Sequence, residues 1–257
     1  EHLAITCAVC HDPHGSDNPA QLRFSIDVPD EDQNLCMMCH NKRGTPDPTT
    51  FRGPHAPEGP TLLGVAGWWP PNMSFPGGRV VGTHGTPEAN PGLCASCHVQ
   101  SFSVEDEVGV EFLSTGHSFE ATPCVDAGGI PTGESDCAPE ERKYDSCATS
   151  GCHGTPELAR GLQINAENQI AADAGDLEAL IAQIPATEFD DEDDRYTVGE
   201  GAQFNLELAR VPGAAVHNPF LIEALLLATI NEVESRYGLG APARTGVRSS
   251  SWVHGGR

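Results

Sequence analysis

Three times in this chain two cysteines stand three positions apart with a histidine directly after the second: Cys7-Ala8-Val9-Cys10-His11, Cys36-Met37-Met38-Cys39-His40 and Cys94-Ala95-Ser96-Cys97-His98. The C-x-x-C-H spacing places two thiols and one imidazole on a single short segment. Two such thiols can form thioethers with the two vinyl groups on one edge of a haem, and the adjoining imidazole then lies under the iron as proximal ligand. Zinc would use two C-x-x-C knuckles as four thiolates, which leaves the histidine after each second cysteine unexplained. A redox dithiol of the thioredoxin kind would occur once, beside a βαβ pattern that this sequence lacks. Covalent haem is therefore the expectation for all three sites.

A fourth site is wider, Cys147-Ala148-Thr149-Ser150-Gly151-Cys152-His153. It keeps the Cys-His end, and Gly151 supplies the backbone freedom that two extra residues demand. The competing reading puts Cys147 in a disulfide and leaves Cys152 free. With haem here, eight cysteines hold four haems, and the proximal ligands are His11, His40, His98 and His153. Cys124 and Cys137 have no following histidine and read as a disulfide closing a glycine-rich loop, with a metal or redox pair as the alternative.

Each iron has a second face, and what closes it separates electron carriers from catalysts. Methionine is scarce: Met37 and Met38 lie inside a triplet, leaving Met73. Histidine is not limiting. His14 lies three residues beyond His11 and cannot reach round the same iron, so it is expected to serve another haem, in this subunit or a neighbouring one; a solvated turn histidine is the other reading. His55, His84 and His117 sit in turn-forming contexts between or after the triplets, and all three are candidate sixth ligands. His217 precedes Asn218-Pro219, an N-cap followed by proline at the first helical position, and is a further candidate beside a capping or packing role. His2 and His254 read as tail residues.

The 257 residues carry 14 Lys+Arg against 37 Asp+Glu, a formal net charge of -23. That sign excludes clamping of nucleic-acid phosphates. No apolar run reaches the roughly 18 residues of a membrane span. The chain opens at Glu1 without an apolar leader, as an exported chain looks after signal-peptide removal. Aromatic residues are 6% of the chain, while Gly and Pro number 28 and 21, so a loop-rich wrapper whose core is partly haem is expected. Two regions are anticipated: a tetrahaem-binding region over 1–155, mostly coil with short helices round stacked haems, and a helical buttress over 156–257. In the second, Thr155 caps and Pro156 opens one helix through Ile170, Asp176–Ile184 forms another, and a last helix runs from Pro219 to about Tyr237 and stops at Gly238. Asp190 to Asp194 reads as a solvated acidic loop, with Ca²⁺ binding as the alternative.

Residues 3–43, through Cys7-Ala-Val-Cys10-His11-Asp-Pro-His14-Gly15-Ser16 and Leu35-Cys36-Met-Met-Cys39-His40, resemble the doubled C-x-x-C-H motif of bacterial and archaeal multihaem cytochromes c. The whole chain is similar to the tetrahaem extracellular cytochromes that polymerise into conductive filaments. That resemblance implies an electron-transfer protein and not an enzyme, secreted or otherwise periplasmic. It also implies His14 as ligand to a haem of the adjacent subunit in a homopolymer, and partner cytochromes or extracellular acceptors. The four-residue spacing after Cys147 and the acidity depart from the family pattern. The rival readings are a monomeric periplasmic shuttle, a multihaem oxyanion reductase with one open iron, and a structural protein with haems as staples.

Overall fold

A computed structural model describes residues 6–71, 73–105, 108–115, 117–148, 152–189 and 196–240. His2, His254, Gly151 and the Asp190–Asp194 loop lie outside the described residues. In chain order the elements are helices α1 (Cys7–Cys10), α2 (Met37–His40), α3 (Glu58–Leu62) and α4 (Cys94–His98), strands β1 (Ser101–Glu105) and β2 (Glu111–Thr115), and helices α5 (Asp145–Ala148), α6 (Pro156–Ile181), α7 (Val198–Ala209), α8 (Ala214–His217) and α9 (Pro219–Tyr237).

The chain divides into two compact units, and they do not follow chain order: 1–41 with 83–164 form the first, 42–82 with 165–257 the second. The sequence-based boundary near residue 155 had grouped 42–82 with the attachment sites. Two buried asparagines explain the difference. Asn205 on α7 accepts from the Trp68 amide at 2.7 Å and donates to the Trp68 carbonyl at 2.7 Å and the Thr229 hydroxyl at 2.8 Å. Asn218 donates to the Thr61 carbonyl at 3.1 Å and the Val80 carbonyl at 2.6 Å, while its side-chain oxygen caps α9 at the Leu221 amide. Buried amides with every group satisfied are strong, specific fasteners, and these two sew the 61–82 segment onto the second unit's helices.

The second unit holds a contiguous apolar core of α6, α7, α8 and α9 side chains, including Leu177, Leu180, Leu206, Leu208, Leu221, Leu226 and Ile230. Helix α9 begins and ends where the sequence places it, with Asn218 as N-cap, Pro219 first and Gly238 in the left-handed conformation at φ 62°. The two helical stretches expected over 156–184 are one helix, α6, of 26 residues. Nothing in Ala171-Ala172-Asp173-Ala174-Gly175 breaks it: the alanines favour helix, and one glycine costs only about 1 kcal/mol. Thr155 caps it as expected, accepting from the Leu158 amide at 3.2 Å. No helix among the described residues is long and apolar enough to cross a membrane.

The first unit is different in kind. Its described residues bury only Leu22, Met37, Leu93, Cys124, Tyr144 and Ala159 among apolar side chains, against nineteen in the second unit. Six is far too few to hold a unit of this length together by protein packing alone. The secondary structure is single helical turns and one antiparallel hairpin, β1–β2, registered from Ser101 opposite Thr115 to Glu105 opposite Glu111. The hairpin adds to the coil and short helices expected, and Ser-Phe-Ser-Val-Glu carries the strand alternation that predicts it. Cys124 and Cys137 are joined by a disulfide across a separation of 13 residues. A Cys124→Ser, Cys137→Ser chain is expected to lose about 3 kcal/mol of unfolding free energy with its haem content unchanged. Denaturant titration together with intact mass checks both halves of that statement.

Candidate haem-attachment sites

Three of the four thiol pairs are each organised by one turn of helix. Cys7 and Cys10 are the first and last residues of α1, Cys36 directly precedes α2, which contains Cys39 and His40, α4 spans Cys94, Cys97 and His98, and Cys147 lies in α5. Residues i and i+3 share a helix face, so both thiols of a C-x-x-C turn point the same way. The turns close on their own backbone: the His11 amide donates to the Cys7 carbonyl at 2.8 Å and the His40 amide to the Cys36 carbonyl at 2.9 Å. All eight of these cysteines are unbridged thiols, Cys147 included. Among the described residues no three His, Cys, Asp or Glu side chains converge on a point that could hold a metal ion directly.

Surrounding side chains hold each turn in place. Arg23 donates from Nε to the Ala8 carbonyl at 2.8 Å and through its amide to the Cys10 carbonyl at 2.8 Å, and its guanidinium stands 3.6 Å from Asp12. Fully buried Asn34 accepts from the Cys36 amide at 3.0 Å and donates to the Ile26 and Val28 carbonyls. Asn90 donates to the His84 carbonyl at 2.7 Å and the Leu93 carbonyl at 3.1 Å, tying His84 to the entrance of α4. Gln100 donates to the Ala121 carbonyl at 2.7 Å, and Ser146, beside Cys147, donates to the same carbonyl at 2.8 Å. None of these positioning residues was singled out from sequence, where a lone Asn, Gln or Ser carries no signal of its long-range partner.

Two of the histidines that follow a thiol pair are held in a way that suits a metal. His11 Nδ1 lies 2.8 Å from the Ala20 carbonyl oxygen and His98 Nδ1 lies 2.6 Å from that of Phe119. A carbonyl only accepts, so Nδ1 carries the proton and Nε2 is the ring nitrogen with the lone pair. Such an anchor fixes ring orientation and raises ligand basicity. Both carbonyls belong to residues with left-handed backbones, Ala20 at φ 55° and Phe119 at φ 53°. Positive φ in a residue other than glycine is costly and concentrates at functional sites. The remaining ones, Gln21, Ala56 and Leu93, are also at such places: beside Ala20, after His55 and before Cys94.

Neighbouring sites approach one another inside the first unit. The Cys36 thiol is lowered to about 7, first by hydrogen bonding with Cys94 and also by His40, while Cys94 is raised by that same bond and by burial. Burial, then repulsion from Cys147 and Cys152, pushes Cys97 up to about 11. His153 is lowered by burial and then by nearby His84. Ring pairs meet at His11 with His117 and at His84 with His153.

The thiol pairs, the anchored imidazoles and the few buried apolar side chains among the described residues of the first unit together fit haem, whose faces are broad and apolar. Residues 4–45 match the family of the doubled CXXCH motif. That motif supports a multihaem c-type cytochrome with covalently bound haem. No curated protein and no solved structure matches the chain. The matched segment contains the first two C-x-x-C-H triplets and His14. His14 lies exposed on a turn whose amide donates to Asp12 Oδ1 at 3.0 Å. His55 is exposed and His217, the last residue of α8, is half-buried, both in the second unit. Met73 packs against the second unit's core.

Proposed function

We propose that the chain is a tetrahaem c-type cytochrome with histidine on both faces of every iron, that its role is one-electron transfer, and that copies of it join into an extracellular filament. The observation that carries the reading is the first unit itself: four thiol pairs, each with its histidine, gathered in a body whose described residues bury few apolar side chains. The haems, when bound, supply the one-electron chemistry. The cysteines fasten them, His11, His40, His98 and His153 take one side, and His14, His55, His84, His117 and His217 are five imidazoles for the four opposite sides.

The closeness of Cys36 to Cys94, and of Cys97 to Cys147 and Cys152, supports a row in which the second, third and fourth sites follow one another at short range. The exposed turn at His14 supports its role toward a neighbouring copy. With a net charge of -23, association between copies must rest on buried area and a shared iron ligand, since the chains repel at long range. Partner cytochromes or extracellular acceptors would exchange the electrons, with the periplasm as the alternative location.

Intact mass of the purified protein is expected to show four haems that survive acid–acetone extraction, and electron microscopy of native material to show filaments that His14→Ala abolishes. Monomers throughout would favour a periplasmic shuttle in which His14 serves its own chain. Carbon monoxide binding to the reduced protein would reveal an open iron and favour a reductase.

A further inference from the structure

We infer that His117 is the sixth ligand of the haem fastened through Cys7 and Cys10, opposite His11, and that His84 is the sixth ligand of the haem fastened through Cys147 and Cys152, opposite His153. This rests on the bis-histidine reading and adds the pairing that the reading leaves open. The ring centroids of His11 and His117 are 6.3 Å apart and those of His84 and His153 are 5.8 Å apart. A metal–imidazole bond is about 2 Å. Adding roughly 1.1 Å from ring nitrogen to ring centre on each side places two imidazole centroids about 6 Å apart across one metal ion.

Aromatic packing alone also produces centroid distances of about 4.5–7 Å, so three further observations decide. Each pair joins one histidine that follows an attachment cysteine to one that does not, as a proximal and a distal ligand must. Neither pair is stacked face to face: the planes meet at 45° and 79°. His11 has its Nδ1 held by the Ala20 carbonyl at 2.8 Å, which leaves Nε2 as its ligating atom.

The backbone supports both placements. His117 is two residues before Phe119, whose carbonyl holds His98, so the segment that delivers a ligand to the first site also anchors the third. The His84 carbonyl is held by Asn90, which also holds Leu93 just ahead of Cys94. All four rings belong to the first unit.

The test uses the full-length haem-loaded protein. His117→Ala is expected to keep four haems by intact mass while one iron in four turns high-spin in the oxidised absorption and electron paramagnetic resonance spectra. Combining it with Cys7→Ala and Cys10→Ala is expected to leave three haems, all low-spin. His84→Ala should behave the same way with Cys147→Ala and Cys152→Ala. A high-spin signal that persists after its supposed haem has been removed overturns the pairing, as does a spectrum that His117→Ala or His84→Ala leaves unchanged. High-spin iron or a methionine–iron band in the unmutated protein would instead defeat the bis-histidine reading. If a combined variant does not fold, a cryo-EM map of the unmutated protein decides: Nε2 of His117 and His84 on those two irons supports the pairing, and any other position overturns it.

Discussion

A chain with both Cys147 and Cys152 replaced by alanine is expected to lose one haem and keep three. The fourth site is the only one whose two cysteines are separated by four residues, so its equivalence to the others is what the haem count turns on. Cys147 ends up on the single turn of α5, beside Ser146, whose hydroxyl holds the Ala121 carbonyl at 2.8 Å. Cys147 thus has support of the kind the regular turns receive, a one-turn helix tied to a distant carbonyl, whereas Cys152 follows outside any helix. Loss of the group would remove apolar area from a unit whose described residues bury six apolar side chains, and at about 25 cal/mol per Å² a porphyrin face is worth several kcal/mol. The variant should therefore also unfold earlier. Intact mass and a haem-stained denaturing gel read the count, and four haems on the double variant would remove Cys147 and Cys152 from the attachment set.

What the sequence showed and what it hid divide along a physical line. The attachment triplets, the disulfide between Cys124 and Cys137, the Thr155 cap and both ends of α9 are set by residues within a few positions of one another, or by counting cysteines. Asn218-Pro219 announces a helix start because an N-cap and a missing amide act locally. The same Asn218 also binds the Thr61 and Val80 carbonyls, and no spacing rule reports that. Grouping of 42–82 with the C-terminal helices was invisible for this reason. The ring pairs were hidden likewise: turn contexts mark His117 and His84 as candidate ligands, but which ring each meets depends on how Asn90, Gln100 and the Phe119 carbonyl fold the intervening loops.

Replacing Asn205 with leucine is expected to destabilise the second unit by about 3–5 kcal/mol, the sum of two stranded backbone groups and a lost hydroxyl contact. Leucine matches the amide in size and suits the surrounding core, so the loss is one of hydrogen bonding and not of volume. The Trp68 amide and carbonyl, both served by Asn205 at 2.7 Å, would be left in a site where Asn205 itself is 2% exposed. Thr229 keeps its bond to the Leu225 carbonyl at 2.6 Å, so Thr229→Val, which takes away one of the three bonds Asn205 makes, should cost only about 1 kcal/mol. Trp68 has little room to adjust, because its indole lies against Gly201, where even a methyl would collide with the ring. The consequence should appear as a lower denaturation midpoint by far-UV circular dichroism and faster amide exchange in α7 and α9. Haem content should stay at its original value, since every attachment cysteine belongs to the other unit. A midpoint shift worth less than about 1 kcal/mol would mean that the 42–82 segment is held by its apolar contacts alone, and a simultaneous loss of haem would mean that the second unit's integrity governs attachment in the first.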